Sequence, residues 1–444
     1  MSQPASSAAT NGPPSMLGLV LTAGGARGAY QAGVLRRIGE IPALAGNPSP
    51  FQIVTGASAG AINGAMIAAG SESFHETTER LAELWSNVRV QDVYHSDVVS
   101  LTSGGLRWLQ DLSLGGFLGG GGAQSLLDAT PLRAFLEKNL PLAGIARSIA
   151  AGHLYAVAVS ATCYYSGKSF TFIQGRAGHP VWTKSRRVTL PVELRYDHVL
   201  ASAAIPIIFA PVRVETAVGD FYFGDGGLRL VTPFSPAIRL GAERVLAIGI
   251  RSQKAAEERS RLAFLDVAAP AEAVPSMRKP PLAQIFGVFL NAIFLDHLDT
   301  DLDHLKRMNE LIYHYGTMSY GPADAVAVGP AGTSGLAPGP NGGAPIISEP
   351  MRIVLPFAIN PSQDLAEVAH GFSSRMPRMV RFAMEGLGSS KAESADLLSY
   401  LLFDSQYTRA LIDIGYRDAS EHADRIEAFL LGDDEAARAG SAEP

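Results

Sequence analysis

The chain has 444 residues, of which 47% are hydrophobic and 18% charged, and this length suffices for a large core in one big domain or in two. Its formal net charge is −6 and it has no long basic run, which argues against nucleic acid as a partner. One cysteine, Cys163, excludes an internal disulfide framework and favours a reducing, cytoplasmic compartment.

Both ends of the chain are expected to be flexible. Residues 1–15 are rich in Ser, Ala and Pro and carry no charge, so they predict a tail rather than a signal peptide. Residues 431–444 are expected to form a second tail. Since no apolar run is long enough to span a bilayer, the sequence predicts a protein that is soluble or at most peripheral on a membrane.

Two strand–turn–helix units follow the first tail. Residues 17–22 form a continuous apolar run, typical of a strand buried on both faces, and a glycine-rich turn leads from it into a helical pattern over 29–40. Residues 51–55 and 59–69 repeat this arrangement. The repetition predicts an α/β fold with a mostly parallel central sheet and helices on both faces.

The remaining elements suggest a main domain with an extension. Helices are expected at 72–86 and 196–203, and strands at 154–160, 169–173, 221–223, 244–250 and 351–357. We predict that the main α/β domain covers 16–251 and that 252–430 is a mostly helical C-terminal extension, either packed against it or forming a small second unit. That extension contains a low-complexity loop at 321–347.

The segment VTGASAGA places Ser58 between Gly56 and Gly60, after a predicted strand and before a predicted helix. G-x-S-x-G in this context is the pattern of a nucleophile elbow, a strained turn that accepts only small neighbours. The positive end of the following helix dipole would point at the reacting oxygen. The alternative is a crowded packing junction in which the serine has no chemical role.

The earlier turn, with the sequence TAGGARG, has successive amides that can form an anion-binding concavity. A dinucleotide site fits poorly, because the nearest G-x-G-x-x-G register begins at Ala23 and the local segment about twenty residues on offers no acidic residue. A plain tight turn explains the glycines but not the arginine among them. We therefore favour an oxyanion hole.

A serine nucleophile also needs a base. None of the ten histidines lies at an obvious strand end, whereas Asp225 in GDGG directly follows the aromatic strand at 221–223. Asp-Gly is also a leading hairpin-turn signal, so this position alone leaves a structural and a catalytic role open. Cys163 has small apolar neighbours and is predicted to be a core residue rather than a nucleophile.

Together, GGARG, GASAG and GDGG resemble the patatin-like phospholipase family in their order and spacing, and so does the block ASAAIPIIFAP at 201–211. The resemblance covers roughly 17–250 and makes 16–251 the catalytic domain. It implies a Ser–Asp dyad in which Ser58 is the nucleophile and Asp225 is the base. It also implies an oxyanion hole formed by the amides of Gly25, Ala26, Arg27 and Gly28, with supporting roles for Gly24, Gly56, Gly60, Gly226 and Gly227.

The resemblance further implies a lipid acyl hydrolase of the phospholipase A or lipase type, acting through an acyl-serine on lipid or phospholipid at a membrane surface. No metal or other cofactor is expected, because no histidine–carboxylate cluster has ligand spacing. Two alternatives stay open: a general serine carboxylesterase for small soluble esters, and a non-catalytic lipid-binding protein. The α/β-hydrolase fold is disfavoured, because only one strand–helix unit precedes Ser58.

Two apolar segments bear on lipid access. Residues 104–122 combine glycines with large apolar side chains and are interpreted either as a lid or as a surface loop that folds back onto the core. Residues 285–295 predict a buried helix, with an acyl channel or an interfacial segment as the alternative. Arg278 and Lys279 before it could meet lipid phosphate, but a solvated pair is the simpler interpretation.

Overall fold

The computed structural model describes residues 16–95, 125–217, 219–252, 282–294, 297–318, 352–378, 381 and 395–432. The predicted tail at 1–15, the lid at 104–122, the loop at 321–347, and Arg278 and Lys279 lie outside these residues.

In this part of the chain, ten strands form one sheet. They are β1 (Leu17–Leu21), β2 (Ile53–Ala57), β3 (Ala156–Cys163), β4 (Ser169–Gly175), β5 (Thr183–Lys184), β6 (Arg187–Pro191), β7 (Val212–Thr216), β8 (Gly219–Gly224), β9 (Arg244–Ile248) and β10 (Leu355–Ile359). Their order is β10-β9-β1-β2-β3-β4-β6-β5, with β8 paired to the end of β3 and β7 paired to β8. Every neighbouring pair from β10 to β3 is parallel, which confirms the mostly parallel sheet.

The described helices are α1 (Gly28–Gly39), α2 (Ala59–Ala69), α3 (Phe74–Asn87), α4 (Val90–Val93), α5 (Thr130–Asn139), α6 (Ala143–Ala150), α7 (Tyr196–Ala203), α8 (Ser235–Leu240), α9 (Leu282–Phe294), α10 (His297–Met318), α11 (Leu365–Gly371), α12 (Ala395–Leu401), α13 (Ser405–Glu421) and α14 (Ala423–Leu431). None of these helices has both the length and the apolar character needed to cross a membrane.

Helices cover both faces of the sheet, as predicted. Side chains alternate along each strand, so that Leu19 and Leu21 of β1 join one apolar core while Val20 joins another. The first core includes α1, α2, α3 and α13, and the second includes α8 and α10. All five residues of β1 and of β2 are buried, which is why their sequences are continuous apolar or small runs instead of alternating ones.

The C-terminal residues contribute to the sheet and to the first core. Strand β10 extends the sheet in parallel beside β9, and α13 packs closely along α1. A Cβ atom at Gly33 would collide with the carbonyl oxygen of Ile412, and one at Gly415 would collide with that of Tyr30. Close approach of the two helix backbones therefore requires glycine on both sides.

Two further expectations can be compared with the structure. Cys163 is buried and has a free thiol, as the prediction of a core residue requires. The apolar run at 285–295 lies mostly within α9, where Leu290 is buried but Ile285 and Val288 are exposed. The prediction of a buried helix is thus correct for one side of α9 only.

The contact between α1 and α13 predicts that Gly33→Ala is destabilising. The new methyl group meets backbone instead of a flexible side chain, so overpacking should lower the free energy of unfolding by about 1–3 kcal/mol. Chemical denaturation would measure this change, with Gly371→Ala as the control because a Cβ atom there meets nothing within 4 Å. Equal denaturation midpoints for Gly33→Ala and the wild type would contradict the close packing of these helices.

Candidate active site

Ser58 occupies a strained turn between β2 and α2. Its backbone has φ 55° and ψ −126°, and Ile207 is the other non-glycine residue with positive φ among the described residues. A side chain at Gly56 would collide with the carbonyl oxygen of Gly60, and one at Gly60 with that of Leu21. Both glycines of the G-x-S-x-G motif are therefore required by close backbone contact, and this packing holds the serine in its conformation.

The hydroxyl group of Ser202 connects this turn to β3. The backbone N–H of Ser58 donates to Ser202 Oγ at 2.9 Å, and Ser202 Oγ donates to the carbonyl oxygen of Ser160 at 2.6 Å. Ser202 is completely buried on α7. Sequence reasoning did not single out this serine, although it lies in the 201–211 block that contributed to the family resemblance.

Asp225 lies where β8 ends beside β3, and it caps the short 3-10 turn Gly226–Leu228. Its Oδ1 accepts a hydrogen bond from the Gly227 amide at 2.8 Å, and its carbonyl oxygen accepts one from Thr162 Oγ1 at 2.8 Å. A Cβ atom at Gly226 would collide with the carbonyl oxygen of Ser160. The GDGG segment thus forms a tight turn held against β3, in which close backbone contact requires glycine at position 226.

The Asp225 carboxyl group has an unusual electrostatic environment. It is completely buried, and burial raises its pKa to about 7, although hydrogen bonding with the Ser58 side chain and with the Gly227 amide lowers it. Its Oδ2 has no hydrogen bond of good geometry within the described part of the chain, and no described basic side chain forms an ion pair with it. The Ser58 side chain is therefore next to a buried carboxyl group that has no ion-pair partner among the described residues.

No described histidine forms a hydrogen bond with Ser58 or Asp225. His198 is the buried histidine among the described residues, and it lies on the same helix as Ser202. Its Nδ1 accepts a hydrogen bond from the Arg195 amide at 2.9 Å, and burial lowers its pKa to about 4. A neutral histidine with this partner helps to cap its helix.

Four amides in the glycine-rich turn between β1 and α1 were predicted to form an oxyanion hole. Two of them donate hydrogen bonds within the turn and the other two do not. The amide of Arg27 donates to the carbonyl oxygen of Gly24 at 3.1 Å, and that of Gly28 donates within the same turn. The amides of Gly25 and Ala26 donate to no acceptor among the described residues. The same holds for Ala59, the residue after the serine, which sequence reasoning did not include. Of these three residues, Gly25 and Ala59 line the cavity beside Ser58.

The Arg27 side chain points away from this turn into the C-terminal region. Its Nε donates to Ser399 Oγ at 2.8 Å, its Nη2 lies 3.1 Å from Asp396 Oδ1, and its guanidinium lies 4.3 Å from the centre of the Tyr400 ring. Burial opposes its charge, but the surrounding tyrosines and aspartates more than compensate, so its pKa is raised. Gly25 has φ +54°, and a side chain there would collide with the Tyr400 carbonyl oxygen. Helix α12 therefore holds both the backbone and the arginine of the turn.

Ser58 and Gly25 share the wall of a cavity of about 30 Å³. The rest of its lining is mainly apolar and includes Ile62, Trp85, Val93, Leu132, Phe209 and Phe403. Ligand pockets usually have volumes of about 300–1,000 Å³, so the described cavity is smaller than an ordinary substrate site. In the described ranges, no group of three or more His, Cys, Asp and Glu side chains is placed to hold a metal ion.

Comparison with known proteins gives one family match. Residues 19–238 match the family model for patatin-like phospholipase. VipD from Legionella pneumophila is 15% identical over 57% of this chain and 54% of its own, with a TM-score of 0.26. The type III effector protein ExoU is 17% identical over 57% of this chain and 45% of its own, with a TM-score of 0.22. This chain thus spans about half the length of each, and a search of curated proteins found no match.

The Arg27 contacts predict that Ser399→Ala destabilises the protein. It removes a hydrogen bond to a buried charged group, which should lower the free energy of unfolding by about 1.5–3 kcal/mol. Urea denaturation followed by circular dichroism would measure the loss. Ser420→Ala is the matched control, because this exposed serine bonds only its own helix. If both variants unfold alike, Ser399 does not stabilise the arginine.

Proposed function

Because this chain belongs to the patatin-like phospholipase family over residues 19–238, we propose that it hydrolyses carboxylic esters of lipids, with Ser58 as nucleophile and Asp225 as general base. The observation that carries the proposal is a serine in a strained turn beside a fully buried carboxyl group without a cationic partner. A buried carboxylate in a purely structural role normally has an oppositely charged partner. A base with a pKa near 7 is well suited to proton transfer at neutral pH.

The first half of the reaction forms an acyl-serine. Asp225 Oδ2 takes the proton of the Ser58 hydroxyl as Oγ attacks the ester carbonyl carbon. The carbonyl oxygen becomes an oxyanion, and the amides of Gly25, Ala26 and Ala59 donate to it. When the tetrahedral intermediate collapses, the bond to the alcohol breaks and the alcohol leaves with the proton from Asp225.

The second half releases the acid. Asp225 removes a proton from water, whose oxygen attacks the acyl carbon, and the same amides stabilise the second oxyanion. Collapse expels Ser58 Oγ, which recovers its proton from the aspartic acid. The enzyme returns to its starting state with no metal or other cofactor.

The oxyanion role of the turn is supported by how firmly it is held. The Arg27 guanidinium is clamped by α12, and Gly25 lies against the Tyr400 carbonyl oxygen, so the amides are fixed before substrate binds. Preorganised donors are effective because they need no rearrangement during the reaction, and removing one typically costs about 2.7–4 kcal/mol of transition-state stabilisation.

The apolar cavity wall favours an acyl chain over a small polar group beside Ser58. Lipid or phospholipid substrates, and peripheral contact with the membranes that contain them, belong to this proposal. A general esterase for small soluble esters is the second candidate, because the described cavity is small. A non-catalytic lipid-binding protein is less consistent with the site, since a strained serine and an unpaired buried carboxylate would reduce stability without a structural benefit.

Replacing either member of the dyad should abolish hydrolysis. Ser58→Ala removes the nucleophile and Asp225→Asn the base, so kcat/KM should fall by about ten-thousand-fold or more in each. The measurement is hydrolysis of a short-chain nitrophenyl ester and of phosphatidylcholine vesicles. A preference for vesicles would indicate a lipase or phospholipase, and a preference for the soluble ester a general esterase.

Asp220→Asn is the matched control for Asp225→Asn, because Asp220 lies on β8, which leads into Asp225, but forms an exposed ion pair with Arg213. Folding of the inactive variant can be checked independently. The pKa of Asp225 is raised from 3.8 to about 7 in the folded state, so stability falls as the pH rises between these two values and the full loss is present above pH 7. At pH 8, Asp225→Asn should thus be at least as stable as the wild type.

Full activity in Ser58→Ala would refute the proposal.

The proposed base also predicts a pH profile. Only the carboxylate form of Asp225 can accept a proton, so kcat/KM should rise about tenfold per pH unit below a pKa of about 7 and level off above it. Initial rates with the soluble ester would define this inflection, and Asp220→Asn should keep it. A profile that is flat on the acid side of neutrality would exclude Asp225 as the base.

A further inference from the structure

The end of the sheet that carries Asp225 has three exposed tyrosines. Tyr164 and Tyr165 follow β3 and Tyr222 lies on β8, and their exposed fractions are 41%, 86% and 52%. The Tyr164 amide donates to the Tyr222 carbonyl oxygen at 3.0 Å, and the Tyr165 ring lies 5.9 Å from that of Phe221. These contacts gather the tyrosines around the turn that joins β3 to β4. A group of exposed aromatic side chains is typical of a binding surface.

Tyr164 connects this turn to the candidate active site. A Cβ atom at Gly224 would lie 2.1 Å from Tyr164 Oη, so the phenol packs directly against the residue before Asp225. Burial, and to a smaller extent the negative charge of Asp225, raise the pKa of Tyr164, as expected for neighbouring groups. The exposed tyrosines are therefore at the edge of the site where we propose that an ester reacts.

Basic side chains surround the same turn. Lys168 ends it, and the Ser169 amide donates to the carbonyl oxygen of Arg186 at 3.0 Å. The Arg229 guanidinium lies beside Gly167, where a Cβ atom would be 3.7 Å from Nη2. Arg186 and Arg229 are exposed and Lys168 is half-buried. None of the three forms a side-chain hydrogen bond or an ion pair within the described part of the chain.

The segments that form this region contain almost no acidic residues. Residues 138–192 include seven Lys and Arg and no Asp or Glu. Residues 221–242 include one acidic residue, Asp225, and it is completely buried. The whole chain, in contrast, has a net charge of −6. The region around the turn is thus basic in an acidic protein, which favours a negatively charged partner there.

We propose that this region docks the protein on a lipid bilayer that contains anionic lipid. Tyrosine prefers the membrane–water interface, because its ring is apolar and its hydroxyl group stays hydrated. Lysine and arginine are attracted to anionic headgroups. A bilayer suits the region better than nucleic acid, since the adjoining cavity beside Ser58 is mainly apolar. The inference rests on the proposed function, because docking here brings a lipid ester to Ser58 and Asp225. The aromatic–basic patch consists of Tyr164, Tyr165, Lys168, Arg186, Tyr222 and Arg229.

Vesicle binding tests the proposal. Ser58→Ala is the reference protein, because it lacks the proposed nucleophile and leaves the vesicles intact. It should co-sediment saturably with vesicles of phosphatidylcholine and phosphatidylglycerol, bind pure phosphatidylcholine more weakly, and lose affinity as ionic strength rises. Absence of saturable binding to the mixed vesicles overturns the inference. Competition by a short single-stranded RNA for the same patch would assign it to nucleic acid and overturn the inference as well.

A triple variant locates the binding. Combining Lys168→Gln, Arg186→Gln and Arg229→Gln in the reference protein should weaken binding to the mixed vesicles about a hundredfold, because each basic side chain near an anionic surface contributes about fivefold. Tyr165→Ser with Tyr222→Ser is the second variant, and its loss of binding should persist at high ionic strength because it removes apolar contact. Unchanged binding by both variants overturns the inference.

The matched control carries Lys138→Gln, Arg147→Gln and Arg176→Gln. These side chains are exposed and come from the same segment without acidic residues, but they lie on α5, on α6 and after the far end of β4. The control should bind like the reference protein. Equal weakening by the patch variant and the control would show that only total charge matters, which overturns the inference.

Activity separates docking from chemistry. With Ser58 in place, the triple patch variant should keep the wild-type kcat/KM for the soluble nitrophenyl ester and lose at least about tenfold on mixed vesicles. An equal loss on both substrates overturns docking as the role of the patch. The binding result does not depend on whether the wild type hydrolyses either ester, so this proposal and the proposed function can fail separately.

Discussion

The close approach of main chains at the carboxyl ends of β1, β2 and β3 is the constraint on which the candidate site depends. Gly60 lies against the carbonyl oxygen of Leu21, and Gly226 lies against that of Ser160, with no room for a Cβ atom at either position. The first contact fixes the turn that contains Ser58, and the second fixes the turn that contains Asp225. Because both turns are packed on neighbouring strands, the hydroxyl and the carboxyl group meet without any long flexible side chain.

This packing also maintains features that would be unfavourable in isolation. Ser58 is held at positive φ, and Asp225 is fully buried with a raised pKa. The backbone N–H of Ser58 donates to Ser202 Oγ at 2.9 Å and that of Asp225 to the Ala204 carbonyl oxygen at 2.8 Å, and these bonds help to offset the strain and the burial. Strain and burial of this kind are typical of functional sites, where stability is exchanged for reactivity.

The family match ends at residue 238, yet the site depends on residues far beyond it. Arg27 is held by Asp396 and Ser399, and Phe403 lines the cavity beside Ser58. The C-terminal helices are thus part of the support of the predicted oxyanion loop. A change in the position of α12 would reach the amides of Gly25 and Ala26 through these contacts, so the C-terminal region is well placed to influence the proposed reaction.

The sequence by itself was sufficient for features that depend on neighbouring residues. Apolar runs and glycine positions predicted the parallel sheet, and the bounds of α2 and α7 were predicted correctly. The motifs also indicated Ser58 and Asp225, whose catalytic roles remain predictions. Tertiary structure alone decided which residues meet across long separations in the chain. The partners of Arg27 and the hydrogen bonds of the Ser202 hydroxyl group join residues whose spacing follows no local period, because packing of distant elements determines them.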